Sequence, residues 1–271
     1  MNKDNLNSIC KQIKKDIIEM IYEAKSGHPG GSLSASEILT YLYYEKMNVS
    51  PENSKDENRN RFVLSKGHAA PALYAVLAEK GFFPKEEMHK LRKIGALLQG
   101  HPDSKHINGV DVSTGSLGQG ISNAVGMALG LRYLGRPSKV YTVLGDGEVQ
   151  EGLVWEAAMA AGHYKLNNLT AIIDNNGLQI DGKNEEVMTV APLDKKFESF
   201  GWNVVICKDG NDFDEIDKAF KEAEKCTDKP SVIIAKTVKG KGVSFMENEV
   251  GWHGAAPNEE QRNKAIEEIL A

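Results

Sequence analysis

Two hydrophobic rhythms alternate along the chain. Val140-Tyr141-Thr142-Val143-Leu144 and Leu169 to Ile173 are short, nearly continuous apolar runs, the pattern of strands buried on both faces. Between them, Gln150 to Lys165 sets Val154, Ala157, Ala158, Ala161 and Tyr164 at helical spacing. Strand, helix, strand is the βαβ unit, whose two strands lie parallel. The same rhythms predict helices over about 6–25, 34–46, 69–80, 85–93, 118–134, 150–165, 213–226 and 258–270, and strands near 61–65, 140–144, 169–173, 202–206 and 231–235. Such alternation makes an α/β fold, a doubly wound parallel sheet with helices on both faces. No repeat or low-complexity linker divides residues 1–271, so one domain is expected, with helices 6–25 and 258–270 packing on it.

Composition narrows the class. Hydrophobic residues at 41% and charged residues at 26% are ordinary globular values. A net charge of −5 with interspersed Lys and Glu argues against a nucleic-acid surface. Cys10, Cys207 and Cys226 are odd in number, far apart and without a CxxC, so neither a disulfide framework nor a zinc site is favoured. Near the N-terminus, Leu6, Ile9, Ile13, Ile17, Met20, Ile21 and Ala24 recur every three or four residues with lysines between them. That is an amphipathic helix rather than a signal peptide. No stretch approaches the ~18 apolar residues of a membrane span, and a cytoplasmic protein is expected.

The chemistry concentrates where the two best strands end. Val140–Leu144 runs into Gly145-Asp146-Gly147, and Leu169–Ile173 into Asp174-Asn175-Asn176-Gly177-Leu178. Asp146 and Asn176 are 176 − 146 = 30 residues apart, about one βαβ unit. A right-handed crossover brings both strand ends to the same sheet edge, where doubly wound folds bind ligands. There a carboxylate, an amide oxygen, a backbone carbonyl, phosphate oxygens and water make the octahedral oxygen shell of Mg²⁺. Gly147 allows close backbone approach to a phosphate, and the following helix offers free N–H groups. Either motif alone is equally well read as a plain turn; the pair on consecutive strands is far more specific.

Four of the seven histidines, His28, His68, His101 and His253, sit beside Gly or Pro in expected loops. Loops at the carboxyl edge of a parallel sheet converge on one crevice, and imidazole exchanges protons near neutral pH. His89 and His163 fall in helical segments, and His106 has no special flank. Thr114 to Gly120 is a small-residue turn leading into a helix with Ala124, Ala128 and Leu131 on its packing face. Glu151 falls in the first turn of the crossover helix, where a carboxylate complements the dipole in any protein. Lys236, at a strand end, is placed either to neutralise phosphate charge or as a solvated lysine.

Seven ordered motifs carry a resemblance: Ser26-Gly27-His28-Pro29-Gly30-Gly31, Leu64-Ser65-Lys66-Gly67-His68-Ala69, Gln99-Gly100-His101-Pro102, Thr114-Gly115-Ser116-Leu117-Gly118-Gln119-Gly120, the paired strand-end turns, Lys236-Thr237-Val238-Lys239-Gly240-Lys241-Gly242, and Trp252-His253-Gly254. From about Gly27 to about Pro257 the chain resembles the thiamine-diphosphate-binding portion of a transketolase, specifically the N-terminal subunit of a split, two-gene enzyme. The resemblance implies thiamine diphosphate and Mg²⁺, with Ca²⁺ or Mn²⁺ in its place, held by Asp146, Asn176 and the Leu178 backbone oxygen. His68 and His253 would contact the diphosphate, His253 also facing substrate. His28 and His101 would bind the donor's carbonyl and hydroxyl oxygens and help move protons. Gly115, Ser116 and Leu117 would lie along the cofactor, with Gly147 and Ile180 against it. Ser116 stands where many relatives have proline, which loosens the turn without removing backbone contacts. Glu151 would join a carboxylate network crossing a subunit interface.

The family's remaining machinery, a glutamate acting on the aminopyrimidine and the arginines that grip sugar phosphates, belongs to a second, pyrimidine-binding domain. No segment here matches it, so the expectation is half an enzyme. It would complete its sites against a C-terminal transketolase subunit, in a hetero-oligomer and specifically a heterotetramer. The reaction implied is reversible transfer of a two-carbon ketol unit between sugar phosphates, as in the pentose phosphate pathway. A deoxyxylulose-phosphate synthase-like or 2-oxoacid dehydrogenase-like subunit, a non-catalytic cofactor-binding subunit, and a piece of a longer polypeptide are the alternatives.

Overall fold

In the computed structural model, which describes residues 2–271, five parallel strands form the central sheet: β1 (Arg61–Leu64), β2 (Val140–Gly145), β3 (Leu169–Asn175), β6 (Asn203–Cys207) and β7 (Ser231–Lys236). Their order is β1-β2-β3-β7-β6. A two-stranded antiparallel hairpin, β4 (Leu178–Gln179) and β5 (Gly182–Lys183), stands apart. The α-helices are α1 (Lys3–Ala24), α2 (Pro29–Ser34), α3 (Ser36–Tyr41), α4 (Ala70–Glu79), α5 (Gln119–Tyr133), α6 (Gly152–His163), α7 (Asn184–Val187), α8 (Leu193–Ser199), α9 (Phe213–Glu224) and α10 (Glu259–Leu270).

Strand residues alternate between two cores because side chains on a strand point to opposite faces. Val140, Leu144, Ala171, Ile173, Val232 and Ile234 pack with α5, α6 and α8. Tyr141, Val143, Ile172, Ile233 and Ala235 join the opposite core with α1, α3, α4, α9 and α10. Beyond β3 the strand sequence doubles back: the chain lays β6 at the outer edge and returns to insert β7 beside β3. Because every pairing is parallel, the carboxyl ends of β2, β3 and β7 open onto one edge. The α/β fold with helices on both faces is the one the alternation predicts. No helix among the described residues is long and apolar enough to cross a membrane. All three cysteines are free thiols, Cys10 and Cys207 buried and Cys226 half-buried.

Several elements depart from the sequence pattern. Residues 29–34, expected as a loop running into a helix at 34, form α2, started by Pro29 in the first helical turn, where its fixed φ is favourable and its missing N–H harmless. Gly30 and Gly31 hide the helix from periodicity: a Cβ on Gly30 would meet the Trp252 carbonyl at 2.9 Å. The segment expected as helix 85–93 is a 3₁₀ turn over Lys85–Lys90. The crossover helix begins at Gly152, because Glu148–Gln150 form a separate 3₁₀ turn; Glu151 is therefore the N-cap and not a first-turn residue. Residues 175–192, for which the rhythms predict no element, contain β4, β5 and α7, and α8 has no counterpart among the expected helices. Only Leu193 and Phe197 of α8 are buried, too few apolar positions for a period to register. Within α1 one of the interspersed lysines is not on the solvent face: Lys14 is buried, its ammonium 2.6 Å from Glu37.

The C-terminal end of α6 lies so close to the turn between α8 and β6 that Gly162 admits no side chain. A Cβ there would lie 1.8 Å from the Phe200 carbonyl oxygen, next to the buried Trp202 indole, which donates to the Ala158 carbonyl at 2.8 Å. Gly162→Ala is expected to cost ~3 kcal/mol or more, within the range of overpacked cores, measured by urea denaturation; a midpoint equal to wild type would refute the packing assignment.

Candidate active site

The turn after β2 is built around two carboxylates. Gly145 pairs with Asp174 across β2 and β3, and the next residue, Asp146, points into the crevice at 1% exposure. Its Oδ1 accepts from the Gly147 N–H at 2.8 Å and its Oδ2 from the Gly177 N–H at 2.5 Å. Asn176 lies one residue before Gly177, and its Oδ1 accepts from the Leu178 N–H at 3.1 Å. Thus Asp146, Asn176 and Leu178, 32 residues apart at the extremes (178 − 146), share one corner, as a parallel crossover requires.

Glu148, absent from the residues expected at the site, holds that corner together. Buried at 3% exposure, its Oε1 accepts from Ser65 Oγ at 2.5 Å and the Gly118 N–H at 2.9 Å, and its Oε2 from the Gly145 N–H at 3.0 Å. Three loops, following β1, preceding α5 and following β2, are thereby tied to one side chain. Burial pushes its carboxyl above the usual range. The one signal of it in the sequence is its place directly after Gly-Asp-Gly.

Beneath Asp146 lies Asp174, fully buried and compensated. The Lys66 ammonium pairs with Asp174 Oδ2 and donates to the Gly31 carbonyl at 2.8 Å; Ser34 Oγ donates to Asp174 Oδ2 at 2.5 Å, and Thr237 Oγ1 to Oδ1. Burial alone would raise Asp174, but Lys66 and the two hydroxyls outweigh it and hold the carboxyl below its ordinary range. Asp146 has no such cation. Burial, then the Asp174 charge, push it up to about 6.

His28, His68 and His253 cluster above, with ring centroids 5.3 Å (His28–His68), 5.5 Å (His28–His253) and 5.3 Å (His68–His253) apart. Burial, and then nearby cations, lower all three: His28 to about 4, His253 to about 3, His68 well below its ordinary value. They are neutral at pH 7. Lys239 Nζ sits 2.9 Å from His253 Nδ1 and 3.5 Å from the Leu178 carbonyl, and burial followed by Lys66 brings its ammonium down to about 8. His28 Nδ1 is buried without a partner. These groups enclose a cavity of about 320 Å³ completed by Gly115, Leu117, Glu151, Gln179 and Ile180.

The other expected residues are less central. His101 is exposed and outside the cavity lining, on the far side of Gly115, where a Cβ would lie 3.0 Å from the imidazole. Ser116 is exposed and outside the lining, while its neighbours form the wall. Ile180 is 64% exposed at the mouth, and Glu151 is exposed at the rim. Of its two readings Lys236 takes the solvated one: it is exposed and lines a separate crevice of about 690 Å³. The lysine of that run which reaches the cavity is Lys239, because the chain turns at Gly240 (φ +79°), whose N–H donates to the Gly30 carbonyl at 3.0 Å.

The donor set suits an anion that arrives with a cation. Among the described residues no cluster of three or more His, Cys, Asp and Glu is arranged for a metal. One carboxylate, one amide oxygen and one carbonyl leave an octahedral ion short of ligands that phosphate oxygens would supply. Lys239, the neutral imidazoles and the unpartnered His28 Nδ1 supply the complementary donors and acceptors.

A family profile described as "Transketolase, thiamine diphosphate binding domain" matches residues 6–269. The chain belongs to the transketolase family. It is 45% identical over 257 residues to the 6-deoxy-6-sulfo-D-fructose transketolase subunit SqwG of a Clostridium species, covering 95% of this chain and 93% of that one. Identity to an apulose-4-phosphate transketolase subunit of Phocaeicola vulgatus is 42% over 269 residues, covering 99% and 95%. Rat transketolase is 43% identical over 267 residues, which are 98% of this chain and 42% of that one. Among solved structures, transketolase from Campylobacter jejuni superposes with a TM-score of 0.93 at 35% identity, covering all of this chain and 43% of that one. The chain thus spans about two-fifths of these full-length transketolases and nearly all of the two subunits.

In this transketolase-family site Asp146 opposes stability when no cation is bound. An unfolded Asp titrates near ~3.9, so between that value and about 6 the folded chain holds a proton the unfolded chain has lost, and stability falls as pH rises through the window. At ~1.36 kcal/mol per pKa unit the effect reaches up to ~3 kcal/mol. Asp146→Asn is expected to raise the melting temperature of the cofactor-free chain at pH 7 and flatten its decline between pH 4 and 6, read by calorimetry; a lower melting temperature would sink the assignment.

Proposed function

We propose that this chain is the cofactor-binding subunit of a split transketolase, an enzyme that moves a two-carbon ketol unit reversibly from a ketose to an aldose. The observation carrying this reading is the single cavity in which Asp146, Asn176 and the Leu178 carbonyl face Lys239 and three neutral histidines. Its support from relatives is that those matched end to end include proteins named as transketolase subunits. Asp146, Asn176 and Leu178 would hold Mg²⁺, or Ca²⁺ or Mn²⁺ in its place, against the diphosphate, with His68, His253 and Lys239 around the phosphate oxygens.

Bound thiamine diphosphate supplies the electron sink for breaking and making the carbon–carbon bond. The chain's own residues prepare the surroundings. His28, neutral and with a buried Nδ1 free of protein partners, is the acceptor for a donor hydroxyl proton, and His101 lies on the same side to bind a neighbouring oxygen. Such positioned acid–base groups are typically worth about 10²–10⁴-fold. Glu151, exposed at the rim, is free to meet a second subunit. That partner, a C-terminal transketolase subunit in a hetero-oligomer, would bring the pyrimidine-directed carboxylate. The names of the relatives refer to apulose-4-phosphate and to a sulfofructose, so the donor proposed is a ketose ending in phosphate or sulfonate rather than one fixed pentose phosphate.

Ketol transfer by the purified chain with Mg²⁺ and thiamine diphosphate, with and without its C-terminal partner, tests the reading: activity is expected only in the mixture, and full activity of the chain alone defeats it. Asp146→Ala is expected to abolish Mg²⁺-dependent cofactor retention in equilibrium dialysis. Retention equal to wild type would remove Asp146 from the metal shell.

A further inference from the structure

Asn184 is 5% exposed at the start of α7, behind the corner formed by Asp146, Asn176 and Leu178 and outside the cavity lining. Its backbone N–H donates to the Gly177 carbonyl at 2.9 Å, and its own carbonyl accepts from the Met188 N–H at 3.0 Å, so the β4–β5 hairpin is closed at its base. Gln179 Nε2 donates to Asn184 Oδ1 at 2.9 Å. That bond orients the Asn184 amide, with its oxygen toward Gln179 and its nitrogen away from it.

The nitrogen is the unusual atom. Asn184 Nδ2 is buried without a hydrogen-bond partner among the described residues, and native structures leave few buried donors unused. Beside it lies Asp146: burial and the Asp174 charge raise that carboxyl, and the Asn184 side chain, behind the Gly177 N–H, works against them by favouring the charged form. The Gly-Asp-Gly turn packs onto the same pair of amides, since a Cβ on Gly147 would lie 3.1 Å from Gln179 Cβ and 3.5 Å from Asn184 Oδ1. Gln150, at the end of the following 3₁₀ turn, donates from Nε2 to the Met188 carbonyl at 2.7 Å. Residues 177–188 are thereby fastened to the β2 turn at both ends, with Asn184 between the two ties.

A carboxylate that receives a cation needs support that orients it without cancelling its charge. An uncharged amide donor does this, whereas a lysine in its place would compete with the cation. We propose that Asn184 is a positioning residue: its amide holds the Asp146 carboxylate and the β4–β5 hairpin in the arrangement that takes up a divalent cation with its diphosphate. This rests on the cofactor-binding reading above and on no residue of a partner subunit.

Equilibrium dialysis of the chain with thiamine diphosphate and graded Mg²⁺, together with urea denaturation in EDTA, tests it. Asn184→Leu, similar in volume but without polar atoms, is expected to raise the Mg²⁺ concentration for half-maximal cofactor retention by about 10–100-fold, the usual effect of losing a group behind a metal ligand. Asn184→Asp keeps the acceptor for Gln179 and loses the donor, so its denaturation midpoint in EDTA is expected to fall as that of Asn184→Leu does; a midpoint equal to wild type would assign Asn184 to Gln179 alone and overturn the proposal. Placed in an Asp146→Ala background, Asn184→Leu is expected to lower the midpoint less than it does in wild type, because non-additivity marks residues that act on each other. Equal drops in the two backgrounds, or retention by Asn184→Leu at wild-type Mg²⁺ concentrations, overturn it as well. A wild-type chain that takes up no cofactor defeats the reading above on its own account, and the denaturation cycle, which needs no cofactor, still decides whether Asn184 holds Asp146.

Discussion

Two carboxylates on neighbouring strand ends, unequally compensated, organise this molecule. Asp174 is neutralised by Lys66 and two hydroxyls; Asp146, adjacent and almost as buried, accepts from the Gly147 and Gly177 N–H groups but forms no ion pair of its own. The fold thus places one satisfied negative charge beneath one that remains costly. Burying an ion without a counter-ion is expensive, and the least costly remedy here is a cation brought from outside. The surrounding lysine and neutral imidazoles then favour a cation that comes with a phosphorylated ligand.

Rigidity around that imbalance comes from close backbone approach. A Cβ at Gly120 would lie 2.4 Å from Ser65 Cα, and one at Gly67 would lie 2.7 Å from the Gly115 N. Small residues therefore bring the loops after β1 and before α5 into direct contact, and Glu148 fastens them to the β2 turn. Polar restraint and steric restraint act on the same three segments. Positions of this kind keep a site within the fraction of an ångström that catalysis requires.

Much of this is legible in the sequence because topology is short-ranged there. One βαβ unit separates Asp146 from Asn176, and a crossover of that length has only one common outcome. The histidine loops are legible because Gly and Pro mark loops, and loops at a parallel sheet's edge converge. What stays hidden depends on distant or atypical partners. Lys66 and Asp174 are 108 residues apart, and a lysine is assumed solvated unless its counter-ion is visible. Lys236 is more conspicuous than Lys239 because strand register, which leaves Lys236 exposed at the end of β7, is invisible without the fold. Helices α2 and α8 are too short to show a period.

The incomplete oxygen shell at the β2–β3 corner has a thermodynamic corollary. In the proposed reading the ion would need the diphosphate to finish its coordination and the diphosphate would need the ion to cancel its charge, so each would raise the other's affinity by the same factor, as linkage demands. The pair would then load together. Occupancy of this polypeptide would follow the product of two concentrations rather than either one alone.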